Sequence, residues 1–338
     1  MRRWLPITLA VSLSAVTLVH AADDLVLSRF TDYIESLRIQ AGIPGLSAAI
    51  VGLNDVQWQR NFGLADVERN LPVRSDTPFA LDGVAQIISA SLVLRCVSDG
   101  KITLNDRVEG GTIAELLSHT SPGPNGPVFA YHPERLEPLA HTVAACQQTS
   151  YDDAVGMLLA RLAMVDSVPG LDTLSIDWPP PTRARYTSAL DRLAKPYAVD
   201  SKGRATPSSY TGRVLTPASG LIASTNDLVQ LDLAIKRGVV LPSPDLLAAA
   251  WTPPLDGNGQ RLPHGLGWFV QVYNGERIIW QFGVSDNASS SLMLTVPGRG
   301  LTLILLANSS GLTRPYALAQ GDVTASPFAR IFLSLFLR

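Results

Sequence analysis

Ser290-Ser291-Leu292-Met293-Leu294-Thr295-Val296-Pro297-Gly298-Arg299-Gly300-Leu301-Thr302-Leu303-Ile304-Leu305-Leu306-Ala307-Asn308 is two apolar runs split by a proline- and glycine-rich step. Each run, Ser290 to Val296 and Leu301 to Asn308, has strand length, and Pro297-Gly298 is a turn signal, so the segment reads as an antiparallel pair. Working back, Arg277 to Phe282 and Gly267 to Tyr273 form two more such runs, joined by Asn274-Gly275, a strong hairpin dipeptide. Working forward, Phe328 to Leu337 is an apolar helix. It is shorter than the ~20 residues that cross a bilayer, so it is expected to pack on the sheet.

The N-terminal part supplies matching elements. Asp24 to Gln40 reads as an amphipathic helix, with Leu25, Phe30, Tyr33, Ile34 and Leu37 near helical spacing, ended by Gly42-Ile43-Pro44-Gly45. Leu46 to Val51 and Val56 to Phe62 flank the turn Leu53-Asn54-Asp55 and read as a hairpin. Between the two strand-rich ends, helices are expected over Val84–Val97, Ile113–Leu117, Leu139–Leu162 (one or two) and Thr225–Lys236. The last has Ser224 or Thr225 as its cap and Asp227 in its first turn. Pro122–Pro127 reads as a loop and Pro169–Thr216 as mostly irregular chain. Strands at both ends with helices between predict an α+β fold, an α/β sandwich. One antiparallel sheet is built from both termini and flanked by helices, with a mainly helical second lobe. The expected lobes are 22–75 with 217–338, and 76–216, within one domain.

Arg2 and Arg3 precede an apolar run from Leu5 to Val19 and a small-residue site at Val19-His20-Ala21. This is the layout of an export signal, residues 1–21, with cleavage after Ala21. A periplasmic or extracellular protein with no stable membrane span after cleavage is expected. The formal net charge is −2, which supplies no electrostatic footprint for nucleic acid. The two cysteines, Cys96 and Cys146, would be permitted to bridge in an oxidising compartment, and buried free thiols fit their apolar surroundings equally well. Neither they nor His119, His132, His141 and His264 have metal-ligand spacing, so no metal and no cofactor is expected. A Gly-x-Ser-x-Gly elbow, a P-loop and a dinucleotide fingerprint are all missing.

Several local patterns, in order, resemble the β-lactamase-related serine hydrolases: class C β-lactamases, DD-peptidases and related esterases. They are Ile43-Pro44-Gly45-Leu46-Ser47, Phe62-Gly63-Leu64-Ala65-Asp66, Thr77-Pro78-Phe79, Leu116-Leu117-Ser118-His119-Thr120-Ser121, Pro124 to Tyr131, Leu162-Ala163-Met164, Ser219 to Thr225 and Leu306-Ala307-Asn308. The resemblance implies an acyl-serine site, a hydroxyl with a lysine base three residues on along a helix face. In this chain the serine position reads Gly83 and the lysine position Gln86. Glycine has nothing to acylate, and a neutral amide takes up no proton at ordinary pH. The family's Tyr-x-Asn reads Tyr131-His132-Pro133, which keeps the tyrosine and loses the amide. Its His- or Lys-x-Gly strand, which lines the pocket and helps bind the substrate carboxylate, reads Gln281-Phe282-Gly283.

The expected function is therefore a catalytically degenerate family member that binds cell-wall peptide, a small molecule or a protein. Tyr131 is the one motif side chain retained. Two alternatives stand beside it. One is a hydrolase with relocated chemistry through Ser285, Ser98 of Ser98-Asp99-Gly100-Lys101, or water with Tyr131. The Ser98 motif lies about four helical turns beyond the expected site. The other alternative is an unrelated binding module.

Overall fold

The computed structural model describes residues 10–241 and 243–337. Residues 1–9 of the expected export signal lie outside the described residues. Helix α1 (Ala10–Gln40) leads into β1 (Gly45–Val51), β2 (Val56–Asp66) and the short β3 (Leu71–Pro72). The C-terminal part contributes β4 (Phe269–Tyr273), β5 (Glu276–Ser285), β6 (Ser289–Val296) and β7 (Leu301–Ala307). They join in one seven-stranded sheet of order β4-β5-β6-β7-β1-β2-β3. The seam between the two halves is β1 against β7, antiparallel, running from Leu46↔Ala307 to Val51↔Thr302.

Strand alternation sorts the side chains to two faces. Leu46, Ala48 and Ile50, with Leu303, Leu305, Leu292 and Leu294, pack on one side against Phe30 and Ile34 of α1 and against Phe328 and Phe332 of α9 (Pro327–Phe336). Phe30 meets Trp58 edge-on at 5.0 Å and Phe336 at 5.6 Å. Ala49, Val51, Met293, Ile304 and Leu306 face the other way, into the main helical core. All seven residues of β1 are buried, because helices cover both faces. An apolar run without alternation is what such a strand requires.

The second face is covered by α7 (Thr225–Lys236) and, beyond it, α2 (Gln86–Ser98), α3 (Ile113–Leu117), α4 (Leu139–Gln147) and α5 (Tyr151–Arg161). Ser224 caps α7, its side chain accepting from the Asp227 N–H at 3.2 Å. Polar groups lock α7 to the sheet: Thr225 Oγ1 donates to Ser47 Oγ at 2.6 Å and Thr302 Oγ1 to Asp232 Oδ1 at 2.7 Å.

The structure corrects several expectations. Leu25 and Tyr33 are about half exposed, and the buried stripe of α1 is Phe30 and Ile34, with Leu27 and Leu37 partly covered. The expected loop Pro122–Pro127 is the tip of a hairpin, Thr120–Gly123 with Gly126–Phe129. Within the expected irregular stretch lies α6 (Pro180–Asp191), which starts at a proline whose missing N–H would be unpaired there anyway. Only Tyr186 and Ala189 of α6 are buried, so its sequence carries no helical apolar period. Helix α8 (Pro244–Ala250) was also unforeseen.

Of the two possibilities for the cysteines, the bridge is the one formed. Cys96 of α2 and Cys146 of α4 are disulfide-bonded, 50 residues apart in sequence. Closing a loop of that length in the unfolded chain is worth roughly 2–4 kcal/mol. Replacing both cysteines by alanine is expected to lower unfolding free energy by about that amount. Urea unfolding of the oxidised protein and the double variant measures it; equal midpoints and slopes would contradict the estimate.

Candidate active-site cleft

A 3₁₀ turn over Asp82–Ala85 feeds directly into α2, and β5 passes across it. The approach is close. A Cβ on Gly83 would lie 2.3 Å from the Phe282 carbonyl oxygen and 3.1 Å from Tyr131 Oη. From the other side, a Cβ on Gly283 would lie 2.0 Å from the Leu81 oxygen. Ser291 Oγ donates to that same Leu81 oxygen at 2.6 Å, tying β6 to the turn. The two glycines thus let turn and strand touch backbone to backbone.

At the first position of α2, Gln86 is fully buried beneath this contact. Its Nε2 donates to Tyr131 Oη at 2.8 Å, and its Oε1 lies 3.0 Å from His119 Nε2. The Tyr131 hydroxyl donates to Gln281 Oε1 at 3.4 Å. Gln281, also fully buried, donates through Nε2 to the Gly267 oxygen at 3.3 Å and sits 3.4 Å from His264 Nε2. His264 Nδ1 is 2.7 Å from the Gly265 oxygen. One assignment of protons satisfies the whole set: Nε2–H on His119 and Nδ1–H on His264. His119 and His264 meet edge to face at 4.7 Å. Among the described residues, His119 Nδ1 has no partner.

Burial fixes the charge state of this network. It drives His264 down to about 3. Burial and then the neighbouring His264 hold His119 well below the usual imidazole range. Burial pushes the Tyr131 phenol well above its ordinary value. Each member is neutral at pH 7, and none is poised as a base.

Above the network lies a cleft of about 580 Å³, lined among others by Asp82, Gly83, Tyr131, Pro133, Phe282 and Ser285. The cleft therefore brings together Gly83, Tyr131, Pro133 and Phe282, with Gln86 and Gln281 under its floor. Tyr131 and Phe282 lie 5.4 Å apart, ring to ring. His132 turns out to solvent, 3.3 Å from Glu134 Oε1. Ser285 is on the wall, 3.4 Å from Thr211 Oγ1, with no imidazole or amine beside it among the described residues. Ser98 ends α2, and Lys101 Nζ donates to the Cys146 oxygen at 3.0 Å, at the disulfide end of the helix. Among the described residues no group of three or more His, Cys, Asp or Glu could hold a metal ion.

Sequence reasoning missed Asp82 and His264. Asp82 sits beside Gly83 with φ +48°, a left-handed conformation that Asp tolerates better than most side chains. Ser289 Oγ donates to it at 2.7 Å, and burial pushes its carboxyl up to about 6. Its adjacency to Gly83 was visible; its environment was not.

The family profile named Beta-lactamase matches residues 30–323. The chain belongs to the β-lactamase family. A relative named unguisins hydrolase ungD', from Aspergillus campestris (strain IBT 28561), is 24% identical over 331 residues, covering 83% of this chain and 61% of that protein. A β-lactamase of Psychrobacter immobilis is 32% identical over 110 residues, covering 30% of this chain and 27% of that protein. The chain thus spans less than two thirds of either relative's length. Among solved structures, the octameric penicillin-binding protein homologue from Pyrococcus abyssi superposes with TM-score 0.72 at 18% identity, covering 91% of this chain and 77% of that one. A class C β-lactamase from Rhodobacter sphaeroides gives TM-score 0.68 at 19% identity, over 91% of this chain and 99% of that one. These likenesses establish the fold: mixed α and β, with a large antiparallel sheet.

Two stability predictions follow from the turn. Gly83→Ala should destabilise by roughly 1–3 kcal/mol, because its Cβ meets a strand carbonyl and has no flexible neighbour to displace. Chemical denaturation tests this, and an unaffected midpoint would refute the close approach. For Asp82, the folded state penalises the ionised form, so its contribution is most favourable below the unfolded value of ~3.9 and is lost as pH rises through 6. Asp82→Asn should therefore melt above wild type at pH 8 and lose that advantage by pH 4. A difference independent of pH would contradict it.

Proposed function

We propose that this β-lactamase-family protein is a catalytically degenerate member that holds a ligand in its cleft without covalent turnover. The observation that carries the reading is the pair at the turn and the start of α2. Gly83 has no side chain to acylate, and Gln86 is a neutral amide engaged by Tyr131 and His119. An acyl-serine mechanism needs a hydroxyl and a proton acceptor within hydrogen-bond reach. Deleting one member of such a unit costs about 10⁴ to 10⁶ in rate, and later losses cost little more. Drift at Pro133 and Gln281 after loss of the serine fits that rule.

Ligand candidates are cell-wall peptide, a small molecule or a protein segment. The hydrolases among the relatives motivate a carbonyl-rich ligand, and the altered floor motivates binding without cleavage. We place the protein outside the cytoplasm, periplasmic or released, on the layout of residues 1–21 and on the Cys96–Cys146 bridge, which suits an oxidising compartment. No helix among the described residues is long and apolar enough to cross a membrane. We also read the chain as one domain of two lobes, 22–75 with 217–338 and 76–216, with the cleft where they meet.

The test is the intact mass of the purified, folded protein before and after excess fluorophosphonate, with a penicillin in parallel. The mass is expected to stay unchanged with both. A single stoichiometric adduct mapped to Ser285 or to another cleft hydroxyl would replace this reading with an active hydrolase of relocated chemistry.

A further inference from the structure

The lining of the cleft decides more than whether chemistry occurs there. Four carboxylates line it, Asp82, Glu134, Glu137 and Asp286, and among the described lining residues there is no Lys, Arg or His. Two of the four are partly answered at the rim: Asp286 pairs with Arg314, and Glu134 lies 3.3 Å from His132. Asp82 and Glu137 have no cationic partner among the described residues.

Asp82 is the most enclosed of them. It accepts one hydrogen bond, from Ser289 Oγ to Oδ2 at 2.7 Å, and Oδ1 has no donor among the described residues. A carboxylate offers about four acceptor sites, so most of its capacity is left for whatever enters the cleft. Burial pushes the group up to about 6, and a cation beside it would reverse that penalty. Tyr131 and Phe282, with rings 5.4 Å apart, are both among the lining residues, and aromatic faces attract cations by their quadrupole. The residue that the family resemblance assigns to holding a substrate carboxylate is Gln281 here, neutral and bonded beneath the floor. Both the loss of a positive group and the presence of negative ones favour the same sign of ligand.

We infer that the cleft takes a cationic ligand, an ammonium, amidinium or guanidinium group on an apolar body, anchored by the Asp82 carboxylate with the Tyr131 and Phe282 rings as its wall. This deepens the proposed function and rests on it only in reading the cleft as a non-covalent site.

The test titrates the whole oxidised protein by calorimetry at pH 7.5 with benzamidine, benzoate and benzyl alcohol, which share a ring and differ in charge. Benzamidine is expected to bind at one site, with no measurable binding of benzoate and weaker binding of the alcohol. Asp82→Asn, which keeps the oxygen facing Ser289 and accepts the left-handed backbone, should lower benzamidine affinity about tenfold or more, as loss of a charge-assisted hydrogen bond does. Glu137→Gln, on the exposed rim, should lower it less. Benzoate binding as tightly as benzamidine overturns the inference. So does benzamidine affinity unchanged in Asp82→Asn, or weaker than about 10 mM in the wild type. A fluorophosphonate adduct would remove the pseudoenzyme reading without touching these titrations, so the two failures are separable.

Discussion

Pairing of β1 with β7 joins the two ends of the chain into one sheet, and the cleft's position depends on it. The seam is secured at its end by Asn308, which accepts from the Gly45 N–H at 2.7 Å across 263 residues of sequence and donates to the Leu64 oxygen at 3.0 Å. With the seam in place, β5 and β6 are carried over the turn that starts α2, and Ser291 fastens them there. Shifting the seam by one residue would send Leu46, Ala48 and Ile50 to the helical face and Ser47 into the Phe30 and Phe332 layer, so register is strongly specified.

The same crossing of β5 over the turn sets what the site can do. Where the Phe282 carbonyl presses on Gly83, a side chain on the turn has no room unless the strand retreats. Beneath it, Gln86, Gln281, Tyr131, His119 and His264 satisfy one another almost completely without a single charge. Buried polar groups are tolerable when paired, and a neutral network avoids the larger penalty of a desolvated ion. A lysine at Gln86 would face the His119 imidazole and the Tyr131 phenol with no carboxylate in the network. The floor is thus organised around neutrality, while the wall above it, with Asp82, carries charge towards the cleft.

Part of this was legible in residues alone. The apolar runs and their turn dipeptides mark β1, β2 and β4 to β7, because strand length and punctuation are local properties. The order of short motifs identified the family, and the proposal at Gly83 and Gln86 rests on side-chain chemistry that the residues alone display. What stayed hidden was non-local. Helix α6 buries only Tyr186 and Ala189, so no period marks it. The hairpin tip at Pro122–Pro127 looks like any proline-rich loop. His264 comes to the site through the Gly265-to-Gly267 segment, and nothing beside it in sequence announces a neighbour such as His119.

By itself the sequence determined the strands of the main sheet, most of the helices that cover it, and the family, since side-chain chemistry and local period travel with the residues. Only the tertiary structure decided that Gln86 and Gln281 lie under the floor, that His132 faces solvent, that the cysteines are joined and that Asp82 stands in the cleft wall. Those depend on which backbone segments come within a few ångströms after folding. Burial, proton affinity and available space are properties of that assembled surrounding, and no single residue carries them.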